Sequence, residues 1–189
     1  MLDAFPSVDL DANPLCFSKF YSRFNLGGEL ANGSVERVIQ SSNRAIQLWQ
    51  DVFTSSSELT MLIDDWDTSG HELWPSDPPG FLYSLIDDSL VYKSSIHSID
   101  RGEFTHERRS LCCPPTAIDY ESMLRAIANR EQGMTPRVNQ TVYCLDLSNQ
   151  IAFYMYDDRG CLLYFGDQQH CQSIYELRTT WIISGAKPG

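Results

Sequence analysis

The chain has 189 residues, a formal net charge of −11 and an apolar fraction of 42%. That length favours one domain, and nine Phe, nine Tyr and four Trp supply enough large apolar groups for a sizeable core, which excludes general disorder. A surface this acidic excludes direct nucleic-acid binding, because phosphates are repelled at close range, and it attracts a cationic partner.

No apolar run approaches the about 20 residues of a membrane span; among the longest is Cys161 to Phe165. Met1 to Ala12 carries Asp3, Asp9 and Asp11 and no basic residue, which does not fit a secretory signal, so a cytoplasmic location is expected. The six cysteines include no C-x-x-C pair and no zinc-finger spacing to a histidine. They are expected as reduced, mostly buried thiols.

The charge is unevenly spread. Between Ala45 and Tyr92 stand Asp51, Glu58, Asp64, Asp65, Asp67, Glu72, Asp77, Asp87 and Asp88, with no Lys or Arg. The rest of the chain is nearly balanced.

Residues 1–14 read as an irregular arm ending at Pro14, and residues 15–184 as a single α+β domain with a short tail at 185–189. Cys16 to Phe24 is expected as a short helix. Phe24 to Leu30, with Gly27–Gly28, reads as an edge or bulged strand. Ser34 to Phe53 has apolar residues at helical spacing and is capped by Asn32 or Ser34. Leu59 to Trp66 reads as a strand buried at its start, whose end opens into a loop carrying Asp64, Asp65 and Asp67. Thr68 to Gly80, rich in Pro, reads as a loop.

Phe81 to Ile86 is a short apolar segment. Leu90 to Asp100 and Phe104 to Leu111 are expected as strands, with a break at Cys112-Cys113-Pro114-Pro115. Ala117 to Arg130 is a second helix, with Gly133 and Pro136 beyond its end. Val142 to Leu147, Ile151 to Tyr156 and Cys161 to Phe165 are separated by connections too short for parallel crossovers, so they form an antiparallel meander. Asp167 caps a last helix whose buried stripe includes Cys171, Ile174, Tyr175, Trp181 and Ile182. The fold class expected is α+β: an antiparallel sheet with a C-terminal three-strand meander, packed against three to four helices.

Asp64-Asp65-x-Asp67 clusters carboxylates as hard cations require, but it lacks the Gly and distal Glu of an EF-hand loop. It reads as a solvated acidic edge, with no metal and no other cofactor expected. Asp157-Asp158-Arg159-Gly160 reads as a tight turn with an internal ion pair. The four histidines form no H-x-x-x-H pattern, and no nucleophile elbow or phosphate-binding glycine motif occurs, so no catalytic residue is assigned. Trp66, Trp74, Phe81 and Tyr83 lie among the acids and could anchor a protein partner.

The stretch IAFYMYDDRGCLLYFGDQQHCQSIYELRTTWI resembles the closing region of the bacterial domain-of-unknown-function 3885 family: a strand, then Tyr156 to Cys161, then a strand and a helix leading to Trp181-Ile182. Arg23-Phe24-Asn25-Leu26-Gly27 and the helix after it resemble the family's start. The resemblance implies a small bacterial protein of the kind found beside secreted toxins. With the acidic charge, it implies an immunity protein that neutralises a basic, nuclease-type effector of an interbacterial secretion system. The partner-binding edge is expected at Asp64, Asp65, Trp66, Asp67, Glu72, Trp74 and Asp77. The alternatives are a metal-dependent or other hydrolytic enzyme and a regulatory binding module unrelated to toxins.

Overall fold

The computed structural model describes residues 20–66, 80–100 and 105–182. The elements are β1 (Phe20–Asn25), α1 (Val35–Phe53), β2 (Leu59–Trp66), α2 (Asp88–Tyr92), β3 (Ser95–Asp100), β4 (Thr105–Cys113), α3 (Tyr120–Arg130), β5 (Thr141–Asp146), β6 (Ile151–Asp157), β7 (Gly160–Phe165) and α4 (Gln168–Leu177). Short 3₁₀ turns lie at Tyr83–Leu85, Pro115–Ala117 and Thr179–Trp181.

The strands form one seven-stranded sheet in the order β1-β7-β6-β5-β2-β4-β3, with every pairing antiparallel. The α+β class and the C-terminal meander β5–β6–β7 are as the sequence indicates.

One sheet face carries the core. Helix α1 starts at Ser34, whose hydroxyl accepts the Arg37 amide at 3.2 Å. Its Ala45, Trp49, Val52 and Phe53 are buried at the three- and four-residue spacing of one helical face. Helix α3 adds Met123, Leu124, Ile127 and Ala128. Both pack on alternate residues of the strands: Met61 and Ile63 of β2, Phe153 and Met155 of β6, Leu163 and Phe165 of β7. Trp49 meets Phe53 and Phe153 edge-on, with centroids 4.8 and 5.4 Å apart, and stacks on Tyr120 at 5.1 Å. Each fully buried side chain of this size contributes about 1.5–3 kcal/mol.

The opposite face holds a smaller cluster of Leu62, Leu145 and Ala152, with Tyr143, Leu147 and Tyr164 against it.

Several expected elements differ. Phe20 to Phe24 is strand, not the end of a helix. Its burial alternates, with Ser22 and Phe24 inside and Tyr21 and Arg23 outside, and it pairs with β7 as the sheet edge. That edge strand ends at Asn25, so Gly27 and Gly28 lie beyond it, and Gly28 takes φ 59°. Leu90 to Asp100 divides into the end of α2 and strand β3. β4 runs through Cys112 and Cys113 and stops only at Pro114, which cannot donate to a ladder. Helix α3 begins at Tyr120 because Asp119 accepts the Ser122 amide at 3.1 Å as its cap. Helix α4 is capped by Asp167, which accepts the His170 amide at 2.8 Å, and it stops at Leu177. Trp181 and Ile182 lie past its end, half-buried, with the guanidiniums of Arg44 and Arg178 over the Trp181 ring at 5.3 and 4.7 Å. The arm at 1–14, most of the loop Thr68–Gly80 and the tail at 185–189 lie outside the described residues.

Candidate functional site

The acidic end of β2 is organised differently from a solvated loop. Strand alternation places Asp64 on the face of Thr60 and Leu62, and it is 1% exposed. A buried carboxylate needs a partner, and Arg108 lies directly opposite on β4. The guanidinium donates through Nε to Oδ1 at 2.5 Å and through Nη2 to Oδ2 at 2.8 Å, the forked geometry that gives the strongest carboxylate pairing. His106 Nε2 stands 3.5 Å from Oδ2. The expectation that Asp64 belongs to an open, solvated edge is corrected: both its oxygens are taken up inside the sheet.

Asp65 projects to the other face and is half-buried. It accepts the Tyr83 hydroxyl. Burial, and then this hydrogen bond, hold the Tyr83 phenol well above its ordinary range, and the Arg109 guanidinium lies 4.9 Å from the Tyr83 ring centroid. Phe81 and Tyr83 pack against the core. The backbone of Trp66 pairs with His106. Asp67, Glu72, Trp74 and Asp77 lie outside the described residues.

The Asp157–Gly160 turn gathers a second set of charges. Asp157, 2% exposed, accepts the Arg159 amide at 2.7 Å and its Nε at 2.8 Å. This is the internal ion pair read from the sequence. Arg159 otherwise faces solvent, and its pairing with Asp157 raises its pKa.

Asp158 turns inward, is fully buried, and pairs with Arg37 Nε on α1. Arg37 Nη1 also donates to the Leu30 carbonyl at 2.7 Å. The loop between β1 and α1 wraps this pair. Gln40 donates to the Gly27 carbonyl at 2.8 Å, Arg44 to the Asn25 carbonyl at 2.9 Å, and the Leu26 amide to the Arg159 carbonyl at 3.1 Å. Gly27 is needed here: a Cβ would lie 2.5 Å from Arg37 Cζ. Gly160 is needed because a Cβ would lie 2.9 Å from the Phe24 carbonyl and would overlap the Tyr156 hydroxyl. That hydroxyl accepts Arg23 Nε at 3.0 Å.

The turn is therefore a latch that ties the β6–β7 hairpin to α1. Its acids are consumed by arginines of this chain. Among the described residues no group of three or more His, Cys, Asp or Glu is placed to hold a metal ion.

The sequence reading missed Arg37 and Arg108. Arg37 left a signal: a cation in the first turn of a helix opposes the macrodipole and implies a specific acidic partner. Arg108 left none, since its partner is 44 positions away.

The clefts of the described surface include two of note. One, of about 590 Å³, lies between the end of α1 and the β4–α3 connection, lined by Trp49, Thr54, Ser57, Pro114, Pro115 and Tyr120 among others. The second, of about 480 Å³, is lined by Leu90, Lys93, Ser95, Ser110, Cys112 and Leu147 among others.

No solved structure matches this chain. It is similar to the uncharacterized protein YnaE of Bacillus subtilis (strain 168), with 26% identity over 86 residues, covering 42% of this chain and 40% of that protein. The domain-of-unknown-function family DUF3885 matches residues 3–185, a span that takes in the latch and every described strand and helix, and the chain belongs to that family.

Proposed function

We propose that this chain is an immunity-type binding protein that neutralises a cognate bacterial toxin by occluding a basic surface on it. The observation that carries the reading is which charges reach the solvent. Arg37, Arg108 and Arg137 are buried, and Arg178 is forked onto Asp51 at 2.7 and 2.8 Å. The described residues expose cations at Arg23, Lys93, Arg125 and Arg159. They expose acids at Glu29, Glu36, Glu58, Asp87, Asp88, Glu107, Asp119, Glu131, Asp167 and Glu176. Each internal ion pair removes one charge of either sign, so the described surface keeps the acidic sign of the whole chain, with ten exposed acids against four exposed cations.

Such a surface accelerates encounter with a basic protein and disfavours acidic competitors. A nuclease-type effector is basic because it binds phosphate, so an acidic inhibitor competes directly with its substrate. Asp64 holds the sheet together in this scheme. The partner meets the exposed acids and the segment from Asp65 onward.

Growth protection tests the reading. Cells producing the proposed basic toxin should survive when the chain is co-expressed, and the two products should co-purify. Killing that continues undiminished at equal expression would contradict it.

A further inference from the structure

The two edges of the sheet are finished differently. At β1 the chain returns, and Phe24 bridges to Ile182, with α4 packed alongside. At the other edge, β3 pairs with β4 alone among the described residues. Beyond that ladder, Ser95–Ile99 makes one side-chain hydrogen bond among the described residues, between the Ser95 and Ser110 hydroxyls at 2.6 Å.

Proteins blunt open edges with Pro, Lys, bulges or a covering element. Strand β3 has no Pro or Lys, and its register with β4 runs without a bulge. Its side chains are open as well. Ile96 is 48% exposed, and Tyr92, four residues earlier at the end of α2, is 92% exposed. Large exposed apolar groups of this kind, Tyr above all, anchor protein interfaces. Ser95, the first residue of β3, also lines the 480 Å³ cleft with Leu90 and Leu147, which gives an apolar side chain a place beside the edge.

Resting on the reading of a basic partner, we propose that the outer edge of β3 is the docking site for an extended, basic segment of that partner, which adds as an eighth strand with Tyr92 and Ile96 as its side-chain contacts. Main-chain hydrogen bonds supply affinity in such strand addition, and alternate side chains supply specificity. Charge selects the occupant. A second copy of this chain brings another −11 to the same edge and is repelled, whereas a cationic strand is attracted by that net charge and by Glu107, exposed on β4 opposite Ser98, which together outweigh the exposed Lys93 before the strand.

The test uses two peptides of equal charge on the full chain: an octapeptide of alternating Lys and Val, and one of alternating Lys and Pro, which cannot form a ladder. In an antiparallel pair only alternate residues point their amides outward. The Lys-Val peptide should therefore bind at least about tenfold more tightly than the Lys-Pro peptide and should slow hydrogen exchange at alternate amides of Ser95–Ile99. Of His97→Pro and Ser98→Pro, one removes an outward donor and should keep the melting temperature of the parent while losing that tenfold preference; the other breaks the β3–β4 ladder. Tyr92→Ala should weaken the Lys-Val peptide without changing the melt.

Equal binding of both peptides with no protection at β3 would overturn the edge assignment and leave the acidic-surface reading intact. Failure of both peptides to bind at low salt would overturn the basic-partner reading and this inference with it. A dimer of the free chain that Ile96→Lys dissolves would make the occupant a second copy and overturn the proposal.

Discussion

Arg37 on α1 and Asp158 in the β6–β7 turn, 121 positions apart, form a buried ion pair that fastens the first helix to the last hairpin. Neither group can be removed alone without leaving the other buried and uncompensated. Arg37→Ala is expected to cost about 3–5 kcal/mol in urea unfolding, more than an exposed pair returns. A loss below about 1 kcal/mol would mean that the pair does not hold the hairpin.

Gly27→Ala tests the same latch through its wall. The added methyl would collide with the Arg37 guanidinium, so a loss of about 1–3 kcal/mol is expected. Combined with Arg37→Ala the loss should be less than additive, because the clash disappears with its partner. Additive losses in the double-mutant cycle would show that Gly27 acts independently of Arg37.

Asp64 and Glu107 separate the acids that hold the fold from those that face solvent. Asp64→Ala removes the carboxylate that the buried Arg108 forks onto and should cost about 3–5 kcal/mol. Glu107 is exposed, and Glu107→Gln should stay within about 0.5 kcal/mol of the parent. Similar melting temperatures for the two variants would contradict the burial of the Asp64–Arg108 fork.

Alkaline pH should loosen the fold. Burial raises the Cys113 thiol from its ordinary 9.0 to about 11, and it raises Cys144, Cys161 and Cys171 as well. Between the unfolded and folded values the unfolded chain releases protons that the folded chain retains, so stability is full below pH 9 and falls as pH rises toward 11. The melting temperature should decline steadily over that window. Of the five described cysteines Cys112 is exposed and the others are buried, so Cys112 should react with a thiol reagent at pH 8 well before them. A flat melting temperature up to pH 11, or equal thiol rates, would contradict this packing.

Much of this fold is legible in the sequence because it is local. The α1 stripe, the Ser34 and Asp167 caps and the β5–β7 meander all follow from spacing and turn residues that lie close together. Cys16 to Phe24 reads as a short helix, and only pairing with β7 makes Phe20 to Phe24 strand. The candidate site was the least legible part. A run of acids looks solvated until an arginine from another strand is placed against it. Asp64 and Asp158 both find such a partner, and Asp65 finds Tyr83. What the sequence indicates correctly is the sign of the surface, because sign depends on composition more than on pairing.

The proposed binding of a basic protein is tested most directly by calorimetric titration of the full chain with a purified basic, nuclease-type toxin of the proposed kind, at about 50 and about 500 mM salt. A defined complex whose affinity falls at least about tenfold at the higher salt is the predicted result. No complex at either salt, or one whose affinity is indifferent to salt, would contradict the claim.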